Sequence, residues 1–233
     1  MNTVTSNAMN SRAVFGLFIR AKVVFGLILA VVVLAGCSAL PDKPLRASLY
    51  DFGPGNMTAL PAATLAPLPA LAMDDISTPG GALDNQAVLY RLTYQDAQQL
   101  RPYSQARWAM PPAQLIRQRF REQLGQRRSL VDARGSLALN RSANAALPLL
   151  LRLDLEEFSH VFSTPEASVG LIRLRATLIE QAASGEKLLA QRSVVVQRPA
   201  LTADAAGGVR ALTAATDAAI EEIDVWLQQN RLR

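Results

Sequence analysis

The sequence predicts an α+β fold, a mostly antiparallel sheet with two amphipathic helices packed on one face. Three observations predict it. Leu149 to Glu156 and Ile172 to Ile179 place apolar side chains at every second position, the period of half-buried strands, and 188–197 reads as the return strand of a hairpin. Two segments, 113–124 and 209–226, instead place apolar residues three or four apart, the period of a helix with one buried face. The strands follow one another through short loops, which favours antiparallel pairing. Half of the 233 residues are hydrophobic, enough for a real core, so wholesale disorder is excluded.

The first 36 residues read as a targeting leader rather than part of the fold. Arg20 and Lys22 precede an uncharged run from Val23 to Ala35, 13 residues long. A spanning helix needs about 20 apolar residues, so this length suits a signal peptide. The run ends in Leu34-Ala35-Gly36-Cys37, which resembles a bacterial lipobox. There a thiol is required, because the cysteine sulfur takes a diacylglycerol as a thioether and the freed α-amine takes a further acyl chain, such as palmitate. The acyl groups on Cys37 are the only attached chemistry expected; no cofactor and no metal site is. Ser38 follows, with no aspartate at that position, which favours the outer membrane, the protein facing the periplasm. The leader also removes Arg12, Arg20 and Lys22 from the charge count. Of 24 basic residues, 21 remain against 19 acidic, so the basic balance gives no case for nucleic acid.

Residues 37–47 read as a lipidated tether and 48–233 as one domain. Seven of the 13 prolines fall between Pro41 and Pro79, and a Pro/Ala-rich insertion occupies about 53–70. Short strands are expected at Leu49-Tyr50-Asp51-Phe52 and near Leu68 to Met73. Val88, Tyr90, Leu92 and Tyr94 alternate with Leu89, Arg91 and Thr93, as in a half-buried strand. Pro111-Pro112 opens the first helix, because proline is tolerated in a first turn, and Ile116, Phe120 and Leu124 form its stripe. Leu149 to Glu157 is a strand. Val169 to Gln181 and Leu188 to Gln197 form a hairpin across Ala183-Ser184-Gly185-Glu186. The closing helix buries Val209, Leu212, Thr216, Ala219, Ile223 and Trp226, with Asp217, Glu221 and Asp224 toward its other side. Thr202 or Asp204 caps it.

Catalytic chemistry has little material. His160 is the only histidine and Cys37 the only cysteine. No G-x-S-x-G elbow presents a serine, so His160 reads as a surface or loop-edge residue. Glu156-Glu157 reads as a solvated strand end. Gly207-Gly208 is a helix-entry pair without the remainder of a phosphate loop. The chain therefore reads as a non-enzyme.

Charge concentrates between Arg107 and Arg141, where eight arginines face Glu122 and Asp132. Arg107, Trp108, Arg117, Arg119 and Arg121 are the candidate partner-binding residues, because guanidinium forks suit carboxylates and phosphates. Trp108 also suits a core anchor ahead of the helix.

Tyr103, Ala106-Arg107-Trp108 and Pro111-Pro112, with the lipobox and Tyr50-Asp51-Phe52 before them, resemble the ABC-type transport auxiliary lipoproteins, the PqiC-like family. The order of strands and helices resembles it over nearly all of the mature chain, apart from the longer Pro/Ala linker. The resemblance implies a docking component of an intermembrane lipid transport system. Its partners would be an MCE-domain bridge protein with its inner-membrane ABC permease and ATPase, outer-membrane lipid, and in some assemblies further copies of the chain. The residues alone leave a second role open, an activator or assembly factor of another envelope machine such as a cell-wall synthase.

The leader motif generates one test. Fed a labelled fatty acid, cells should incorporate label into the wild-type chain and not into Cys37→Ser; equal labelling of both would refute the assignment.

Overall fold

The structure, a computed structural model, describes residues 46–55, 68–133, 147–182 and 185–231. The leader, Cys37, the tether up to Leu45, most of the Pro/Ala-rich insertion, and Arg134 and Arg141 lie outside the described residues. The elements are β1 (Ser48–Tyr50), β2 (Leu71–Met73), β3 (Ala87–Leu92), β4 (Asp96–Trp108), helix α1 (Pro112–Leu124), β5 (Leu130–Asp132), β6 (Leu149–Phe162), β7 (Ser168–Ala182), β8 (Gly185–Pro199) and helix α2 (Ala205–Arg231).

The eight strands make one mixed sheet. Strands β6, β7 and β8 pair antiparallel along most of their length, and β7–β8 is the expected hairpin, closing at Ala182 and Gly185. The other edge of β6 is shared: β2 lies along its start at Leu149–Leu151 and β3 along its end at His160–Phe162, both parallel to it. β1 adds parallel to β4 and β5 parallel to β2, while β3 and β4 pair antiparallel. Four of the seven strand pairings among the described residues are thus parallel, which corrects the expectation of a mostly antiparallel sheet. The reason is topological. β1, β2 and β3 take partners built later in the chain, so intervening segments act as crossovers.

One irregularity governs the inside of the sheet. In the β6–β7 register Leu155 faces Leu174 and Glu157 faces Arg173, leaving Glu156 as an extra residue, a β-bulge. Before it the odd positions Leu151, Leu153 and Leu155 are buried; after it the even positions Phe158, His160 and Phe162 are. An inserted residue shifts the two-residue period by one, so the strand keeps one face toward the core along its full 14 residues. Glu156 and Glu157 therefore stand at mid-strand, not at a solvated end. Glu156 pairs with Arg175, and Glu157 takes Arg91 through both carboxylate oxygens, at 3.1 and 3.3 Å.

Both helices bury their apolar stripes in one shared core on one face of the sheet. Ile116, Phe120 and Leu124 of α1 join Leu151, Leu153 and Leu155 of β6, Ile172 and Leu174 of β7, and Leu212, Ile223 and Leu227 of α2. α2 packs across β6, β7 and β8. Its first turn is fixed by Asp204, whose carboxylate accepts from the Gly207 amide at 2.7 Å and from the Thr202 hydroxyl at 2.8 Å. Those bonds hold the Asp204 carboxyl below its ordinary pKa, the Gly207 amide contributing most.

The helix then lies directly on the sheet. A Cβ on Gly170 would meet the Leu212 backbone nitrogen at 2.4 Å, and one on Gly208 would meet His160 Nδ1 at 2.4 Å. Gly170→Ala should therefore lift α2 and lower unfolding free energy by about 1–3 kcal/mol, the cost of overpacking a core. Urea unfolding checks this, and a variant as stable as the wild type would show that the helix moves freely there.

Candidate functional site

The arginine-rich segment begins in β4 and continues through α1. Arg107 folds back on its own strand, donating to the carbonyls of Tyr103 at 2.5 Å and Ala106 at 2.9 Å. Trp108 is fully buried. Its ring meets Phe52 edge-on at 5.6 Å and Phe158 at 5.6 Å, and β1 brings Tyr50 into register beside it. Tyr50-Asp51-Phe52 and Ala106-Arg107-Trp108 thus come together as one aromatic knot. Trp108 positions the start of α1 from inside the core and presents no surface to a partner.

The arginines of α1 divide into two groups. Arg119, only 13% exposed, reaches α2, where Nε and Nη2 donate to the two oxygens of Asp217 at 2.7 and 3.1 Å. Those charge-assisted bonds raise its pKa further. Gln123 donates to the same carboxylate at 2.7 Å. Arg128, just beyond α1, donates to Asp224. Asp217 and Asp224, seven residues apart, lie on the α2 side that faces α1, not on a solvated side. From the sequence both read as outward acids; their spacing of two turns, matched to Arg119 on α1 and Arg128 just beyond it, is the available signal.

Arg117 and Arg121 form the second group. Both grip Asp132 of β5, Arg117 at 2.7 Å, and Arg117 Nε also lies 3.2 Å from Asp75. They line a surface cleft of about 660 Å³ together with Asp75, Asp84, Gln114 and Asp132. The cleft offers donors and acceptors side by side. The structure thus brings Arg117 and Arg121 together on an accessible surface, and places Arg119, Arg107 and Trp108 in internal roles.

His160 is not a surface or loop-edge residue. It is fully buried in β6, because the bulge turns it inward and Gly208 of α2 sits over it. The Tyr103 hydroxyl lies 2.8 Å from Nδ1 and the Ser168 hydroxyl 2.8 Å from Nε2. A neutral imidazole has one N–H, so one hydroxyl donates to the ring and the other accepts from it. Burial pushes the imidazole down to about 4, against a small opposing pull from Asp204, and raises the Tyr103 hydroxyl. The ring therefore stays neutral and the phenol keeps its proton. A serine–histidine contact this deep, with Ser168 8% exposed, meets no substrate unless α2 lifts. It bolts β4, β6 and β7 together beneath the helix. Among the described residues no three His, Cys, Asp or Glu side chains come together as metal ligands.

The model of the family of ABC-type transport auxiliary lipoprotein components matches residues 50–224. No curated protein matches the sequence. Among solved structures, the chain is similar in fold to protein XCC0632 from Xanthomonas campestris, with a TM-score of 0.61 at 18% identity over 80% of this chain and 100% of that one. An uncharacterized protein gives a TM-score of 0.53 at 15% identity, over 78% of this chain and 99% of that one. At these identities the two structures speak for the fold alone.

The His160 network generates a pH test. The folded ring takes a proton near pH 4 and the unfolded one near 6.5. Between those values only the unfolded chain binds the proton, so stability falls as pH drops through that window, by about 2–4 kcal/mol in all. Urea unfolding from pH 7 to 4 should show this loss in the wild type and a smaller one in His160→Gln. Parallel profiles would mean that the ring does not control acid stability.

Proposed function

We propose, from the premise that this chain belongs to the family of ABC-type transport auxiliary lipoprotein components, that it is the outer-membrane docking subunit of an intermembrane lipid transport system. The observation that carries the reading is the family match across residues 50–224, nearly all of the folded part. That family consists of transport auxiliaries rather than enzymes, and it implies association with an ABC transport system at the cell envelope. The finer assignments are our reading: Cys37 carries the acyl chains, the outer membrane holds the anchor, and an MCE-domain bridge protein is the partner.

The cleft of Arg117 and Arg121 is the docking surface best supported by its geometry. Its arginines are already oriented by Asp132 and Asp75, so little side-chain entropy is lost on binding. Its mixed charge selects a partner carrying both signs, and complementary charge steers encounter more than it adds affinity. Arg107, Trp108 and Arg119 support this surface from behind.

Replacing both cleft arginines, Arg117→Gln with Arg121→Gln, should weaken capture of the bridge protein about tenfold, since each exposed charge contact contributes about 0.2–1 kcal/mol. Capture should also weaken as salt rises. If the double variant captures the bridge like the wild type at low salt, docking uses another face. If neither protein captures it at any salt, the docking role itself fails.

A further inference from the structure

Beyond the cleft, the chain turns through Gly125 and runs into β5, and a second recess of about 610 Å³ opens there. Three arginines line it, Arg121, Arg127 and Arg128, and no acidic residue does among the described residues. The carboxylates that Arg121 and Arg128 reach are already committed. Asp132 accepts from Arg117 and Arg121, and Asp224 accepts from Arg128 and Gln228. Arg127 forms no ion pair among the described residues.

The donors left over are specific. Nε of Arg121, Nε of Arg127, and Nε and Nη1 of Arg128 are all buried from solvent without a hydrogen-bond partner. The Arg128 side chain is 1% exposed and uses only Nη2 on Asp224. Buried N–H groups in a folded protein are nearly always paired, and charged ones most of all. Desolvation makes the Arg128 charge harder to hold, opposed by Asp224 and reinforced weakly by Arg127. Those nitrogens are closed to a water-sized group, so a ligand in the recess, bringing negative charge and several acceptor oxygens, would meet the outer edges of the guanidinium groups that line it and offset their charge.

We propose that the recess of Arg121, Arg127 and Arg128 is a binding site for a phosphate group, carried either by a lipid headgroup or by free phosphate. A carboxylate is planar and engages one guanidinium fork face to face. Phosphate is tetrahedral and offers oxygens in three directions, which suits donors spread over three guanidinium groups. The volume exceeds what the phosphate alone fills, and Leu68 and Leu130 border it, so an esterified phosphate fits better than the bare ion. The site is separate from the docking reading, because its test measures ligand binding and not capture of a bridge protein.

The test is titration calorimetry on the full chain in maltoside micelles, with inorganic phosphate in one arm and dihexanoyl phosphatidylglycerol in the other. Saturable binding is expected in at least one arm, weakened tenfold or more in Arg127→Gln and in Arg128→Lys. Arg198→Gln, on the far strand β8, should bind like the wild type. Arg127→Gln disturbs no ion pair, so it keeps the test decisive if Arg128→Lys fails to fold. A lipid bound tenfold more tightly than phosphate assigns the headgroup as ligand, and equal affinities assign free phosphate. No saturable binding in either arm, or an Arg127→Gln variant that binds like the wild type, overturns the site.

Discussion

The extra residue at Glu156 decides which side chains of β6 enter the core, and much of the remaining structure depends on that choice. Without the bulge, the odd positions would stay inward, and Glu157, Ser159 and Val161 would face the helices in place of Phe158, His160 and Phe162. Phe158 would then leave Trp108 and Phe52, and His160 would leave Tyr103 and Ser168. The aromatic knot at β1 and β4 and the polar bolt under α2 are therefore both consequences of one register shift. Glu156 is suited to the position because its carboxylate meets Arg175 on the outer face, so the unpaired residue of the bulge is not left without a partner.

The arginines show how one residue type serves opposite purposes. Exposed ion pairs contribute little, about 0.2–1 kcal/mol, so Arg117 and Arg121 cost the fold little if a partner borrows them. Arg128 is different: its side chain is enclosed, and removing the partner of a buried ion typically costs about 3–5 kcal/mol. Arg119 lies between these cases, clamped by two oxygens of Asp217 at the joint between the helices. The same side chains that fix α1 on α2 thus leave Arg127, without an ion pair among the described residues, beside the enclosed Arg128, where positive charge exceeds what the fold neutralises.

The two helices, β7 and the first half of β6 were legible in the sequence because their periods are clean. All six residues of the proposed α2 stripe, from Val209 to Trp226, are buried, and Pro111-Pro112 does open α1. What stayed hidden was hidden for physical reasons. β4 carries Pro102 and mostly polar, exposed side chains, so no alternation marks it as a strand. The end of β6 was missed because the bulge breaks the two-residue period just where the reading stopped. The parallel pairings were missed because three-residue strands such as β1 and β2 carry no signal of direction. The site was half legible: an arginine cluster was visible, but which arginines face inward depends on Asp217 and Asp224, nearly a hundred residues away.

Covalent distance ties the proposed anchor to the proposed sites. Ten residues lie between Cys37 and Ser48, so a lipidated Cys37 would hold the start of β1 within about 40 Å of the membrane at full extension. β1 pairs directly with the end of β4, Ser48 facing Ala106 and Tyr50 facing Trp108, and α1 starts at Pro112, a few residues on. The helix that carries Arg117 and Arg121 is therefore rooted beside the point where the tether enters the fold, and the aromatic knot makes that attachment rigid. The arginine recess adjoins the cleft just past the C-terminal end of α1, Arg121 lining both.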